Sequence, residues 1–183
     1  VTSVIVVNHN GGAEALANLR RWLREAEPLA AEVLVVDNAS VDGSPELIRT
    51  ELPAARVVAE PVNRGYAAAV NRGLSEASGS VLVVANADVS PRPGALGRLV
   101  AETRERTEFG IVGGLLVDAE GRPSPNCVRR LPRVLDIIRE GLFLRPRTAL
   151  PPDDLSDLRG IVEAPVVSGA VLAVRREALE KMG

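Results

Sequence analysis

Three runs in this chain are apolar on nearly every residue: TSVIVVN at positions 2–8, EVLVV at 32–36 and SVLVVA at 80–85. A strand with one wet face alternates apolar and polar residues. One that is apolar throughout is buried on both faces, as in a parallel sheet covered by helices on either side. The intervening segments keep that promise. Residues 13–26 repeat apolar side chains at helical spacing, with Leu16, Leu19, Trp22 and Leu23 on one face. Short helices are expected at 45–51 and 66–77, the latter with Gly79 as its C-cap, and a longer one at 94–107. Further strands are expected at 56–60 and 110–117. Strand and helix alternate through short loops, which reads as an α/β fold with a mainly parallel sheet, a Rossmann-like three-layer sandwich. From 118 to 164 the rhythm breaks and Pro and Arg accumulate, with one helix expected at 135–144. A strand at 165–174 and a helix at 175–182 restore it.

At 183 residues the chain has enough length for one domain with a sizeable core. It is 46% hydrophobic and 25% charged, an ordinary globular balance, and its net charge of −2 gives no support for nucleic-acid binding. Cys127 is the single cysteine and His9 the single histidine, so an internal disulfide and a Cys/His zinc cluster are both excluded. No apolar run approaches the ~20 residues of a membrane span, and no signal peptide is visible. A cytoplasmic location follows by default. The chain opens at Val1 without a methionine and stops just after a helical pattern, so both ends read as trimmed.

In open α/β sheets ligands bind at the carboxyl ends of the strands. Four polar groups fall at such ends here: residues 8–10, Asp37 with Asn38, residues 63–65, and residues 86–88. They are far apart in sequence, and a parallel sheet brings them to one edge. In VVANADVSP a buried strand delivers Asp88, with Asn86 two residues earlier. A carboxylate there suits a hard divalent cation, Mg²⁺ or Mn²⁺, that also bridges substrate phosphates. The competing reading is a plain Asx turn. Asp37 and Asn38 can read a nucleobase, whereas Asp42 and Ser44 are assigned to capping the helix that follows. Asn63-Arg64-Gly65-Tyr66 opens a helix whose first N–H groups can face an anion, with Gly65 supplying either close backbone approach or a positive φ. Asn71 within that helix reads, by itself, as an exposed helical residue. His9 can stack on a base, although a histidine beside a turn is more often simply hydrogen-bonded. Arg129, Arg130 and Arg133 could meet an acidic acceptor or a membrane surface; a solvated loop is preferred. Cys127 reads as an incidental thiol.

Together these segments resemble the family 2 glycosyltransferases with the GT-A fold, in their rhamnosyltransferase-like branch. VTSVIVVNHNGG is similar to that family's opening strand and turn, and VLVVDNASVDGS to its second-strand motif. PVNRGYAAAVNRGLSEASGSVLVVANADVSP resembles its stretch from third strand to metal motif, and SGAVLAVRREALEKMG its small-residue turn, strand and helix. The resemblance implies that Asp88 holds the metal and that Asn86 stands at the first position of the family's D-x-D motif, one negative charge short. It implies that Asp37 and Asn38 contact the base, with His9 in the place of a stacking aromatic. Asn63, Gly65 and Asn71 would lie along the nucleotide, and Ser168, Gly169 and Ala170 would border the donor sugar. The family continues into Gly-Gly-Phe-Asp/Glu and then an acidic Glu-Asp motif where the catalytic base belongs, and no residue of this chain matches it. The expected organisation is one incomplete domain: a nucleotide-binding half (1–117), an irregular insertion (118–164) and the start of an acceptor-side half (165–183).

The implied reaction is metal-assisted, inverting transfer of a sugar from a dTDP- or UDP-sugar to a saccharide or lipid-linked saccharide. Bacterial cell-surface polysaccharide synthesis is the implied setting, with peripheral membrane contact left open. This chain alone is expected to transfer little. Three other readings compete. A nucleotidylyltransferase would carry a basic Gly-rich loop where this chain has NHNGGAEA. An NAD-dependent oxidoreductase would show G-x-G-x-x-G after a strand. A non-catalytic nucleotide-sugar-binding module would look the same over these residues.

Overall fold

The computed structural model describes residues 1–124, 127–129 and 160–182. The helix expected at 135–144 lies outside them, as do Arg130 and Arg133. β1 (Thr2–Asn8), β2 (Glu32–Asn38), β3 (Ala55–Glu60) and β4 (Val81–Asn86) run parallel in the order β3-β2-β1-β4. Beyond β4 come β8 (Val171–Arg175), antiparallel to it, and β5 (Ile111–Gly113). Every residue of β1 is buried, Thr2, Ser3 and Asn8 included, as continuous apolarity requires of a central strand. Register aligns Asn8 with Asp37, Val7 with Asn86 and Asn38 with Glu60, so the polar strand ends converge.

Helices cover both faces. α3 (Tyr66–Glu76) packs on β1 and β2, and its Ala69 joins a cluster with Ile5, Val7, Leu34, Val36, Leu82, Val84 and Val174. Ala178 and Leu179 of α5 (Arg176–Met182) close the same cluster. Full burial of Ile5 or Leu34 contributes about 1.5–3 kcal/mol each. α3 can approach so closely because of Gly73, where a Cβ would lie 2.3 Å from Ile5 Cγ2. α1 (Gly12–Ala26), which runs on into a 3-10 turn (Glu27–Leu29), contacts α2 (Ser44–Glu51) and α4 (Ala95–Glu105) and covers the sheet with them.

Several expectations change in detail. Gly79 does not cap α3, because Ala77 ends that helix in an extended conformation. Gly79 instead lies against β1, where a Cβ would sit 2.5 Å from Ser3 Oγ and 2.7 Å from its backbone nitrogen. The strand expected at 110–117 is only Ile111–Gly113. The one expected at 165–174 is two strands, β7 (Val166–Val167) and β8, separated by a turn at Gly169-Ala170.

The chain forms two compact units, Val1–Val112 with Gly169–Gly183, and Gly113–Ser168. In the second, β6 (Val128–Arg129) pairs antiparallel with β7. Cys127 is buried there: Leu116 N–H donates to its sulfur at 3.0 Å, the sulfur donates to Leu116 O at 3.2 Å, and burial pushes the thiol above its ordinary pKa.

Candidate functional site

The β1 and β2 ends are joined by a buried polar knot. Asn8 Nδ2 donates to Asp37 Oδ1 at 2.8 Å and to Ser44 Oγ at 2.9 Å. Ser40 donates twice to the same carboxylate, through its backbone N–H (3.0 Å) and its hydroxyl (2.6 Å). A buried carboxylate must be paired. Asp37 is 2% exposed, and these three donors commit it to the fold. Its oxygens hold the turn that places Asn38, the neighbour with which it is expected to contact a base. Asp42 acts as expected of a turn residue, accepting from Ser44 N–H and Oγ and also from Gly12 N–H at the start of α1. The Ser44 hydroxyl is the main reason that its carboxyl lies below the ordinary range.

A chain of amides runs from there to the surface. Asn38 Nδ2 donates to Asn63 Oδ1 at 2.8 Å, and Gly65 N–H donates to the same oxygen at 2.9 Å. With its oxygen so engaged, Asn63 turns Nδ2 toward His9 Nε2, 3.2 Å away. Asn10 does likewise: Val41 N–H occupies its Oδ1, and its Nδ2 lies 3.3 Å from the same ring nitrogen. Two amide donors on Nε2 assign the ring proton to Nδ1. His9 and Asn63 are exposed, so this chain ends at solvent. Gly65 has φ +88° with open space around its Cα, so the positive φ is its reason, not close approach. Asn71 is exposed and lines, with Asn38, Glu60, Arg64 and Arg72, a cavity of ≈ 260 Å³ on the flank of α3.

β4 delivers the third group. Asp88 is exposed, and among the described residues no hydrogen bond or ion pair engages its carboxylate. Two residues earlier, Asn86 Oδ1 is buried without a partner. Asn86 N–H donates to Ala170 O at 3.0 Å, and Tyr66 Oη donates to Gly169 O at 2.7 Å, so the Gly169-Ala170 turn is tied to both β4 and α3. Burial raises the Tyr66 pKa, and the negative charge of Asp88 raises it further. Ser168 belongs to the second unit, where its N–H donates to Cys127 O at 2.9 Å.

Two residues here escaped the sequence reading. Asn18 of α1, 6% exposed, donates to Ala87 O at 3.0 Å, and Trp22 Nε1 donates to Val89 O at 3.0 Å. The available signal was an asparagine set among Leu16, Leu19 and Trp22 on the apolar face of a helix. A buried amide at such a position must find a partner.

A divalent cation fits this donor set. A free carboxylate and an orphaned amide oxygen two residues apart are hard oxygen ligands. No group of three or more His, Cys, Asp or Glu side chains suited to a metal occurs among the described residues, so the remaining ligands would come from substrate phosphates and water.

Comparison with known proteins agrees with this architecture. The family described as Glycosyl transferase family 2 matches residues 3–183. An N-acetylglucosaminyl-diphospho-decaprenol L-rhamnosyltransferase of Mycobacterium tuberculosis is 30% identical over 205 residues, covering 100% of this chain and 64% of the relative's length. An undecaprenyl-phosphate 4-deoxy-4-formamido-L-arabinose transferase of Aeromonas hydrophila is 32% identical, covering 62% of this chain and 36% of its own. Among solved structures, the mannosyltransferase PcManGT of Pyrobaculum calidifontis, in complex with GDP-Man and Mn²⁺, superposes with a TM-score of 0.67 at 25% identity, covering 100% of this chain and 46% of that one. The chain thus has the GT-A fold and belongs to glycosyltransferase family 2, in which it is rhamnosyltransferase-like.

Proposed function

We propose that this chain forms the donor site of a glycosyltransferase that moves a sugar from a nucleoside diphosphate to an acceptor hydroxyl with inversion. The observation that carries the reading is the free Asp88 carboxylate beside the unpartnered Asn86 oxygen, at the edge where four strands end. Asp37, Asp42 and Glu60, the other carboxylates of the strand-ending segments, are each bound within the protein. Asp88 is the one left to take a cation. Bound there, Mg²⁺ or Mn²⁺ would stabilise the charge that builds on the leaving diphosphate.

Asp37, Asn38, Asn63 and His9 form the base-reading rim. His9 presents its ring and the Nδ1 proton, and the amides stiffen it from behind. Gly65 lets the chain turn into α3, whose first N–H groups carry no side-chain cap and are available to a diphosphate. Asn71 flanks the nucleotide, and the Gly169-Ala170 turn borders the sugar. The relatives named for decaprenol- and undecaprenyl-linked substrates favour a lipid-linked saccharide acceptor, reached from a peripheral position on a membrane; the donor in this reading is a dTDP- or UDP-sugar. No described helix is long and apolar enough to cross a membrane.

The test is calorimetric titration of the chain with UDP, dTDP and GDP, each with and without Mn²⁺. The reading expects one diphosphate to bind, more tightly with metal, and the metal effect to vanish in Asp88→Ala. A metal effect that survives Asp88→Ala would refute the cation assignment.

A further inference from the structure

The segment that carries Asp88 is gripped from one side by a single stripe of α1. Asn18, Arg21, Trp22 and Glu25 stand at i, i+3, i+4 and i+7, the spacing of neighbours along one helix face. Asn18 donates to Ala87 O and Trp22 to Val89 O, each at 3.0 Å. Arg21 donates to Ser90 Oγ at 2.5 Å, and Glu25 accepts from Gly94 N–H at 3.0 Å. The two carbonyls flanking residue 88 are thus both engaged by side chains one turn apart, and Asp88 between them is exposed, its carboxylate without a partner among the described residues. Asn18 and Trp22 are 6% and 2% exposed; the Asn18 bond is buried and the Trp22 bond half-buried, which limits competition from water.

We propose that Asn18 and Trp22 are positioning residues for cation binding. By fixing the backbone on either side of Asp88, they hold its carboxylate where metal and diphosphate meet, although neither touches the ion. This rests on the reading of Asp88 as the cation ligand.

Asn18→Leu keeps the volume and removes the donor, and Trp22→Phe keeps an aromatic ring and removes the N–H. Whichever of UDP, dTDP and GDP binds tightest is titrated with and without Mn²⁺ into wild type and both variants, with melting temperatures recorded. Asn18→Leu is expected to weaken binding about tenfold in the presence of Mn²⁺, and Trp22→Phe by a smaller factor, with metal-free affinity unchanged. A merely structural role would lower the melting temperature and move both affinities together, or neither; either result overturns the proposal. Trp22 is the single tryptophan of the chain, so its emission supplies a readout that needs no variant. Adding Mn²⁺ with the diphosphate must change that emission in wild type and not in Asp88→Ala, and unchanged wild-type emission also overturns the proposal. If wild type itself shows no Mn²⁺ effect on any of the three diphosphates, the cation reading falls and this inference with it. A wild-type effect that Asn18→Leu leaves intact overturns the inference alone.

Discussion

At the amino ends of the strands, Glu32 accepts from Ser3 Oγ at 2.5 Å and from the N–H and hydroxyl of Ser78, both at 2.6 Å, while Gly79 N–H donates to Ser3 Oγ at 2.7 Å. Arg176 donates to Gly79 O and Ala77 O, closing the end of α3. Arg175 reaches the carbonyls of Thr103, Arg106, Thr107 and Phe109, closing the end of α4. At the carboxyl ends of the same strands, Asp88 and Asn86 Oδ1 have no partner among the described residues, and the amide chain of Asn38 and Asn63 runs out to an exposed His9. One edge uses its charges to finish helices and join strands; the other keeps a carboxylate in reserve. The presence of carboxylates alone does not separate them, since both edges hold acids bonded to serine, Glu32 at one and Asp37 at the other. What separates them is whether a nearby backbone end needs the group.

This contrast yields opposite mutational signatures. Removing the guanidinium in Arg175→Met takes a donor from four carbonyls, of which Arg106 O keeps the Phe109 N–H, and bonds to charged groups contribute about 1.5–3 kcal/mol each when buried. Solvent can replace part of this, so urea denaturation should show a loss of about 3 kcal/mol, with diphosphate affinity of the folded protein unchanged. A loss within experimental error would mean that the amino edge is not held by its arginine.

Asp88→Ala is expected to do the reverse. Its carboxylate supports no other group, so the melting temperature should stay within a degree or so of wild type, as for a surface change of under ~0.5 kcal/mol. Removing a ligand itself should weaken Mn²⁺-dependent binding by more than the 10–100-fold that outer partners are worth, or about 1.4–2.8 kcal/mol. If Asp88→Ala unfolded the chain, the two edges would not differ as described.

Glu32 sharpens the comparison through pH. Burial raises its pKa, but the hydrogen bonds from Ser3 and Ser78 and the charge of Arg56 outweigh that, so the net shift is downward. A carboxyl depressed in the folded state contributes stability that is complete above its unfolded value, about 4.3, and lost as pH falls through the folded value. Glu32→Gln should therefore cost about 1–2 kcal/mol at pH 7, with the difference from wild type shrinking below about pH 4. A difference independent of pH would remove the ionic part of this account.

The sequence made the sheet readable because continuous apolarity over 2–8, 32–36 and 80–85 has few other outcomes, and the convergence of Asn8, Asn38, Asn63 and Asn86 followed from parallel order. It could not show which acid faces inward. Asp37 and Asp42 both follow a strand within one polar stretch, and only the position of Asn8 and Ser40 in space commits Asp37 to the knot. Gly79 was misread for the same reason: its constraint is Ser3, 76 positions away, not the helix before it. Asn18 hid inside an apolar stripe. Tyr66 could be named as a helix start, but its bond to Gly169 spans 103 positions.

The carboxyl edge also stores strain, as does the approach to the amino end of β2, where Ala30 has φ 46°. At the carboxyl edge Asn10 and Ala39 sit at φ 53° and 59°. Asparagine tolerates the left-handed region, but alanine loses roughly 1–2 kcal/mol in it. Asp37 holds Ala39 in place by binding both the N–H and the hydroxyl of Ser40. Ala39→Gly should relieve this strain, offset by the roughly 0.4–1 kcal/mol of chain entropy that glycine adds to the unfolded state. The expected net is a gain of about 0.5 kcal/mol by urea denaturation, with diphosphate affinity retained, because the carboxylate and amide contacts that fix the turn do not involve the Ala39 side chain. A loss of 1 kcal/mol or more would place the cost of this edge elsewhere. A gain in stability with a fall in affinity would mean that the strained turn itself orders His9 and Asn10 for the nucleotide, through the Ser40 hydroxyl that accepts from Asn10 N–H at 2.8 Å.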